Sequence, residues 1–268
     1  MSIRIIVPDS HGSSISRSAM QAFLLDLKQL DPEEIIMLGD HVDCSGTFSS
    51  FKKQTKEDLE YSYLRDIECA RAFLDEIQER APRATIHYLQ GNHEYHVERF
   101  CVNTFGHKED VEFVGDLLDP ATLLDLKGRG IRYYRLHTVY QNLSIPGTIK
   151  LGKCYFTHGV SANKHAAATH VERFGANVVF GHTHRAQSHV VRTVTSGEVG
   201  AWCPGTLSEL QPIYLHTSPS NWTNGYGVQL VNKKTGVFLH INVPIVKGVS
   251  MLSDFVSRMA SKKEKKTN

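Results

Sequence analysis

Five stretches of this chain place metal-binding or proton-handling side chains directly after an apolar run. Residues 3–7 lead into Asp9-Ser10-His11-Gly12, and 34–38 into Gly39-Asp40-His41-Val42-Asp43. Residues 84–89 lead into Gly91-Asn92-His93-Glu94, 153–156 into Thr157-His158-Gly159, and 177–180 into Gly181-His182-Thr183-His184. Carboxylate, imidazole and amide oxygen are the donors a divalent cation of mixed preference accepts, and a histidine holds or releases a proton near neutral pH. Taken singly, Asp9 and Asp43 read as caps of helices or turns, and His11, His158, His182 and His184 as buried, hydrogen-bonded imidazoles. Five such endings in succession read instead as one centre that binds metal and moves protons.

Strand and helix alternation must supply the convergence. In open α/β sheets ligands gather beyond the carboxyl ends of the strands, which is where all five endings fall. Between the first two strands, Ser14 or Ser16 can cap a helix carrying Met20, Phe23, Leu24 and Leu27 at helical spacing. A long amphipathic helix is expected over 55–80, with Leu59, Tyr63, Ile67, Ala70, Phe73, Leu74 and Ile77 on one face and Pro82 closing it. The loop before it, 44–56, either overhangs the site or points Lys52, Lys53 and Lys56 into water.

Residues 95–147 form the longest stretch without a motif and are mostly helical in pattern. Long insertions beside a catalytic centre commonly shape access, so His96, Arg99, Phe100, Arg132, Tyr133, Tyr134 and Arg135 are candidates for gripping a substrate, with packing as the equal alternative. From 188 onward the pattern turns to β, with strands expected at 188–194, 200–203, 225–231 and 237–243 that complete a second sheet. The segment 222–226 either approaches the site or packs in the core. The expected organisation is one domain over 1–250 with a helical insertion at about 95–147, followed by a C-terminal helix and a basic, disordered tail at 251–268.

Bulk properties narrow the classes. A formal charge of +2 does not suggest a broad nucleic-acid surface. No apolar run approaches membrane-spanning length, and the first strand begins at Ile3 without a leader pattern. Five cysteines without a Cys-x-x-Cys pair point to free thiols in a reducing cytoplasm.

The ordered set Asp-x-His, Gly-Asp-x-x-Asp, Gly-Asn-His-Glu, a strand-end His and Gly-His-x-His, running from Asp9 to His184, resembles the calcineurin-like metallophosphoesterases. The resemblance implies a four-layer α/β/β/α sandwich of two mixed sheets flanked by helices. It also implies two divalent metal ions, Mn²⁺ before Fe, Zn, Co or Ni. Asp9, His11, Asp40 and His184 would hold one ion, and Asp40, Asn92, His158 and His182 the other, with Asp40 bridging. A hydroxide held by the pair would attack phosphorus, His93 would protonate the leaving oxygen, and Asp43 would orient His93.

Where protein phosphatases of this family follow Gly-Asp-x-x-Asp with Arg-Gly, this chain has Cys44-Ser45, and its Gly-His-x-His ending is more like the phosphodiesterase, nucleotidase and nuclease branches. The expected substrate is therefore a nucleotide or nucleic-acid phosphodiester, DNA or RNA included. The alternatives are a phosphomonoesterase acting on nucleoside monophosphates or other small phosphates, and a non-enzymatic interaction module on the same fold. Arg185, His96 and Arg99 are the candidate substrate-binding residues. His41, His165, His170 and His189 fall outside the ligand pattern and read as structural or surface residues, and Glu94 as support for the ligand loops. Oligomeric state is not legible.

Overall fold

A computed structural model describes residues 1–48, 60–212 and 219–253. Apolar runs with both faces covered are what parallel strands require. In β1 (Ser2–Val7) and β2 (Glu34–Met37) the parity of the side chains divides the core. Ile5, Val7, Ile35 and Met37 face α1 (Arg17–Leu30) and α2 (Tyr63–Arg80), whereas Ile6, Ile36 and Leu38 face the opposite way. Those opposite faces meet Ile149, Cys154, Phe156 and Val179 of a second sheet. On that sheet's far side, Val178, Phe180, Val199 and Ala201 pack under Ala166, Ala167 and Val171 of α6 (Ala166–Phe174). Helices, sheet, sheet and helix thus form the four layers.

Between α2 and the second sheet run β3 (Thr85–Leu89), α3 (Asn92–Thr104), α4 (Lys108–Leu118), the single turn α5 (Pro120–Leu123) and β4 (Arg132–Tyr134). The second sheet comprises β5 (Thr148–Leu151), β6 (Cys154–Thr157), β7 (Asn177–Phe180), β8 (Ala186–Thr193) and β9 (Gly197–Pro204). The chain then returns through β10 (Gly225–Val231), β11 (Phe238–Val246) and β12 (Val249–Ser250). Strand order is β12-β11-β10-β1-β2-β3-β4 in the first sheet and β5-β6-β7-β9-β8 in the second. The strands after 188 were expected to build the second sheet together. Instead β8 and β9 join it, while β10 pairs antiparallel with β1 and carries β11 and β12 into the first sheet.

Two further expectations change, and a third falls mostly outside the described residues. The helix placed at 55–80 starts at Tyr63, where Ser62 accepts the N–H of Arg65 as its cap; residues 49–59, with Leu59, Lys52, Lys53 and Lys56, lie outside the described residues. In the insertion, where a mostly helical pattern was expected, Arg132-Tyr133-Tyr134 is an edge strand beside β3. Tyr133 packs against Tyr88 at 5.6 Å, and Arg135 pairs with Asp119 and Glu98. Residues 251–253 are helical, and the rest of the expected terminal helix and tail lies outside the described residues.

The registers set the heights of the ligand loops. Val7, Met37 and Tyr88 lie side by side in parallel strands, so the turns carrying Asp9, Asp40 and Asn92 leave the first sheet at one level. Thr157 lies beside Phe180 in the parallel pair β6 and β7, which brings His158 level with Gly181-His182.

Candidate metal centre

Four of the gathered residues have left-handed backbones although none is glycine: His11 (φ 53°), Asp40 (φ 53°), His182 (φ 68°) and His184 (φ 56°). Such a backbone costs about 1–2 kcal/mol per residue, and it persists where the surroundings over-determine it. Here the surroundings are mutual. The carbonyl of Asp40 accepts the N–H groups of Ser10 and His11, tying the first ligand turn to the second. The Glu94 carboxylate is buried and accepts the N–H groups of Asp40, His41, Val42 and Gly91 and the Tyr88 hydroxyl. Gly91 is glycine for space: a Cβ there would lie 2.0 Å from Asp40 Oδ1.

Two clusters of lone pairs result. In the first, the Asp9 carboxylate lies 3.0 Å from His184 Nε2, which lies 3.0 Å from His11 Nε2. In the second, His158 Nε2 is 3.1 Å from Asp40 Oδ2 and 2.9 Å from Asn92 Oδ1, and the His182 ring stands against His158 at 5.0 Å between centroids. Asp9, His11 and His184 are close enough to share one ion, as are Asp40, His158 and His182. The clusters abut, because the N–H of His182 donates to the Asp9 carboxylate.

The tautomers indicate what fits there. His158 Nδ1–H donates to the carbonyl of Leu38 and His11 Nδ1–H to Asp43, so each ring turns its Nε2 inward. Against the downward push of burial, Asp40 raises His158 to about 9 and the Asp43 hydrogen bond raises His11, so a proton on Nε2 is what a bound cation would displace. Carboxylate, amide oxygen and imidazole nitrogen then converge, an arrangement that repels itself unless protons or a cation lie between them. The donors therefore fit divalent ions.

The site is otherwise held in two charge states. Asp9 is brought down to about 2, because the His184 charge and hydrogen bond outweigh the upward push of burial. Asp40 is held well below the usual carboxylate range by His158 and His93 against the same push. Burial pushes His182 down to about 4, and the neighbouring His158 charge adds to it, so His182 offers a lone pair at neutral pH.

His93 borders both clusters, its ring edge-on to His11 at 4.6 Å between centroids, and with His11 and Asp43 it forms a third group close enough to share an ion. Its Nδ1–H donates to the carbonyl of Asp43 at 2.6 Å and lies 3.3 Å from the Asp43 carboxylate, while its Nε2 is 4.0 Å from Asp40 Oδ2. Burial alone would lower its pKa; Asp40 and Asp43 raise it to about 10, so the ring is cationic and a proton donor at neutral pH.

The expected substrate residues are more scattered. His96 is buried one turn beyond His93, their rings 4.9 Å apart, and Arg99 follows on the same face of α3. Arg185 donates from one guanidinium nitrogen, Nη2, to the carbonyls of Ala162 and Asn163, bracing the loop after β6.

Trp222 stands edge-to-face on His184 with centroids 4.1 Å apart, so the segment expected either to approach the site or to pack in the core does reach the site. Ser45 donates to the Asp43 carboxylate, which shows what stands where phosphatases carry arginine and glycine. Sequence reasoning missed Asp66 of α2, which is fully buried under the ligand turns. Its signal was a carboxylate in the apolar register 66, 70, 73, 77 of an amphipathic helix.

With two stacked sheets and this site, the chain belongs to the calcineurin-like phosphoesterase family, whose model matches residues 5–186. Gene 54 protein of Mycobacterium phage L5 is 26% identical over 276 residues, spanning 92% of this chain and 96% of its own length. Among solved structures, a Vps29 single mutant from Entamoeba histolytica is 14% identical with a TM-score of 0.44, covering 92% of this chain and 95% of its own. The E. coli phosphoesterase YfcE is 15% identical with a TM-score of 0.37, covering 90% and 98%.

Proposed function

We propose that this protein hydrolyses phosphodiesters of nucleotides or nucleic acids at a pair of divalent cations. The observation that carries the reading is the convergence of seven donors, Asp9, His11, Asp40, Asn92, His158, His182 and His184, as two adjoining lone-pair clusters at the ends of five strands. When bound, divalent cations supply positive charge against phosphoryl oxygens and acidify a water at neutral pH. Asp9, His11 and His184 would hold one ion and Asn92, His158 and His182 the other, with Asp40 between the two. Mn²⁺ suits the mixed oxygen and nitrogen donors, and iron, zinc, cobalt and nickel are tolerated by the same set.

The chain's own residues do the proton work. His93 carries a proton on Nε2 close to Asp40, and delivers it to the departing oxygen of the ester. Asp43 holds His93 by its carbonyl and carboxylate, and the same carboxylate orients His11. A leaving group such as a nucleoside alkoxide departs only when protonated, and this is the step an ordered imidazolium serves. The half-buried indole of Trp222 beside His184 favours a substrate with an aromatic base. His96, Arg99 and Arg185 are the candidates for holding the rest of such a substrate. Cys44-Ser45, engaged with Asp43 and the core, argues against a protein phosphatase. Among the described residues no helix is long and apolar enough to cross a membrane, and five unpaired cysteines fit a cytoplasmic setting.

The test is a substrate panel on protein stripped of metal and reloaded with Mn²⁺: bis(nitrophenyl) phosphate, mononitrophenyl phosphate, single-stranded DNA and deoxynucleoside monophosphates. Metal-dependent turnover of the diester and DNA is the expected result. Turnover confined to the monoesters would make the chain a phosphomonoesterase, and no metal-dependent turnover at all would leave an interaction module.

A further inference from the structure

A carboxylate outside every ligand motif holds the turn that follows His11 and the turn that carries Asp43, the partner of the acid. Asp66, in the first turn of α2, is fully buried. Its Oδ1 accepts the N–H of Ser13 at 2.7 Å. Its Oδ2 accepts the N–H groups of Asp43 and Cys44 at 2.8 and 3.2 Å and the Tyr61 hydroxyl at 2.7 Å.

The two oxygens thus join the turn after His11 to the turn after Asp40. Both turns are bent to reach it: Cys44 has φ 44°, and Gly12 has φ 46° with room for no side chain, since a Cβ there would lie 2.0 Å from Asp66 Oδ1. The glycine of the first motif is therefore explained by Asp66 and not by a ligand. Tyr61 in turn packs against Gly46, where a Cβ would lie 2.8 Å from its ring.

What those backbone amides control is the acid. The residue whose N–H is held by Asp66 is Asp43, and Asp43 offers its carbonyl to His93 Nδ1 at 2.6 Å and its carboxylate to His11 Nδ1 at 2.8 Å. We infer that Asp66 is the positioning residue of the proton-donating relay, fixing the Asp43 turn so that His93 Nε2 meets the leaving oxygen. The inference rests on the proposed hydrolysis and deepens it. An amide cannot replace the carboxylate: whichever way an asparagine at this position turned, its NH₂ would face N–H donors on one side.

The test compares wild type, Asp66→Asn and the milder Tyr61→Phe, all reloaded with metal, on aryl phosphodiesters running from bis(4-nitrophenyl) phosphate to diphenyl phosphate. Nitrophenolate leaves without a proton, whereas phenolate needs one. The expected result is a loss on the order of 10- to 100-fold for diphenyl phosphate in Asp66→Asn, with much less for the nitrophenyl ester, and a smaller tilt in the same sense for Tyr61→Phe. Equal losses on every ester, or loss explained by lower metal content, would overturn the inference.

A second readout needs no turnover. In the metal-free protein, the Nδ1 proton of His93, seen by nitrogen-resolved NMR, should lose its hydrogen-bonded shift in Asp66→Asn, or be weakened in Tyr61→Phe if the first variant does not fold. An unchanged His93 signal in a folded variant overturns the inference. If the wild type hydrolyses none of the esters, the proposed hydrolysis fails and the His93 signal alone decides the role of Asp66.

Discussion

At the scale of single residues the centre is a contest between acceptors and the few protons available to separate them. His158 shows it most clearly: its Nδ1–H is committed to Leu38, and its Nε2 faces Asp40 and Asn92 oxygens. His93 differs because both oxygens at its Nδ1 come from Asp43, so its Nε2 is left to carry a proton outward. Replacing His93 by Ala should therefore lower turnover of an unactivated diester by roughly 10²- to 10⁴-fold while leaving metal content near that of the wild type. Steady-state kinetics paired with metal analysis of the same sample checks this; unchanged turnover would remove His93 from the mechanism. The residue types and their order were readable in the sequence, as were Asp43 and Glu94. The buried role of Asp66 was not, because a helical carboxylate announces its partners only by sitting where an apolar side chain is due.

At the scale of elements, α6 shows how a histidine outside the ligand pattern is used. His170 is fully buried, stacks on Phe180 with centroids 3.7 Å apart, donates from Nδ1 to the carbonyl of Ala166 and accepts the N–H of Val160 on Nε2. Burial pushes its pKa down to about 4, and protonating Nε2 would break the bond from Val160. Unfolded, the ring takes up a proton as pH falls past about 6.5; folded, it resists until about 4, so its contribution to stability is complete above the first value and lost towards the second. Between those limits wild type should lose stability more steeply than His170→Phe, by up to about 1.4 kcal/mol per pH unit. Chemical denaturation at a series of pH values measures the difference, and parallel slopes would refute it.

Element boundaries were the less legible part of the fold. The periodicity of α2 was visible, but its start at Tyr63 is set by the Ser62 cap and by Asp66 beneath the ligand turns. The strand β4 is only three residues long and rich in arginine and tyrosine. Its identity comes from the edge of β3 it pairs with, His87 beside Arg132, a partner distant in the chain that no local pattern specifies.

For the whole molecule, the centre is shared between two sheets: Asp9, Asp40 and Asn92 leave β1, β2 and β3, while His158 and His182 leave β6 and β7. Cations bound there would tie the sheets together and relieve the repulsion among their donors, so metal should stabilise the entire fold. At a free ion concentration about 100 times the dissociation constant the gain is roughly 2.7 kcal/mol, or about 5–10 °C in Tm for a chain of this size. Thermal unfolding with chelator and with added Mn²⁺ measures it, and coincident transitions would count against the two-ion reading.

From the chain alone came the α/β alternation and the ordered donors at five strand ends, because apolar runs, helical spacing and residue chemistry are local properties written in successive side chains; the four layers followed from the family resemblance those donors carry. Only the tertiary structure decided how β8 and β9 divide from β10, β11 and β12 between the sheets, that Arg185 bonds the loop after β6, and that Trp222 and Asp66 belong beside the site. Those outcomes depend on which distant backbone groups and rings come within hydrogen-bonding or stacking distance, and that proximity exists only once the sheets have closed on each other.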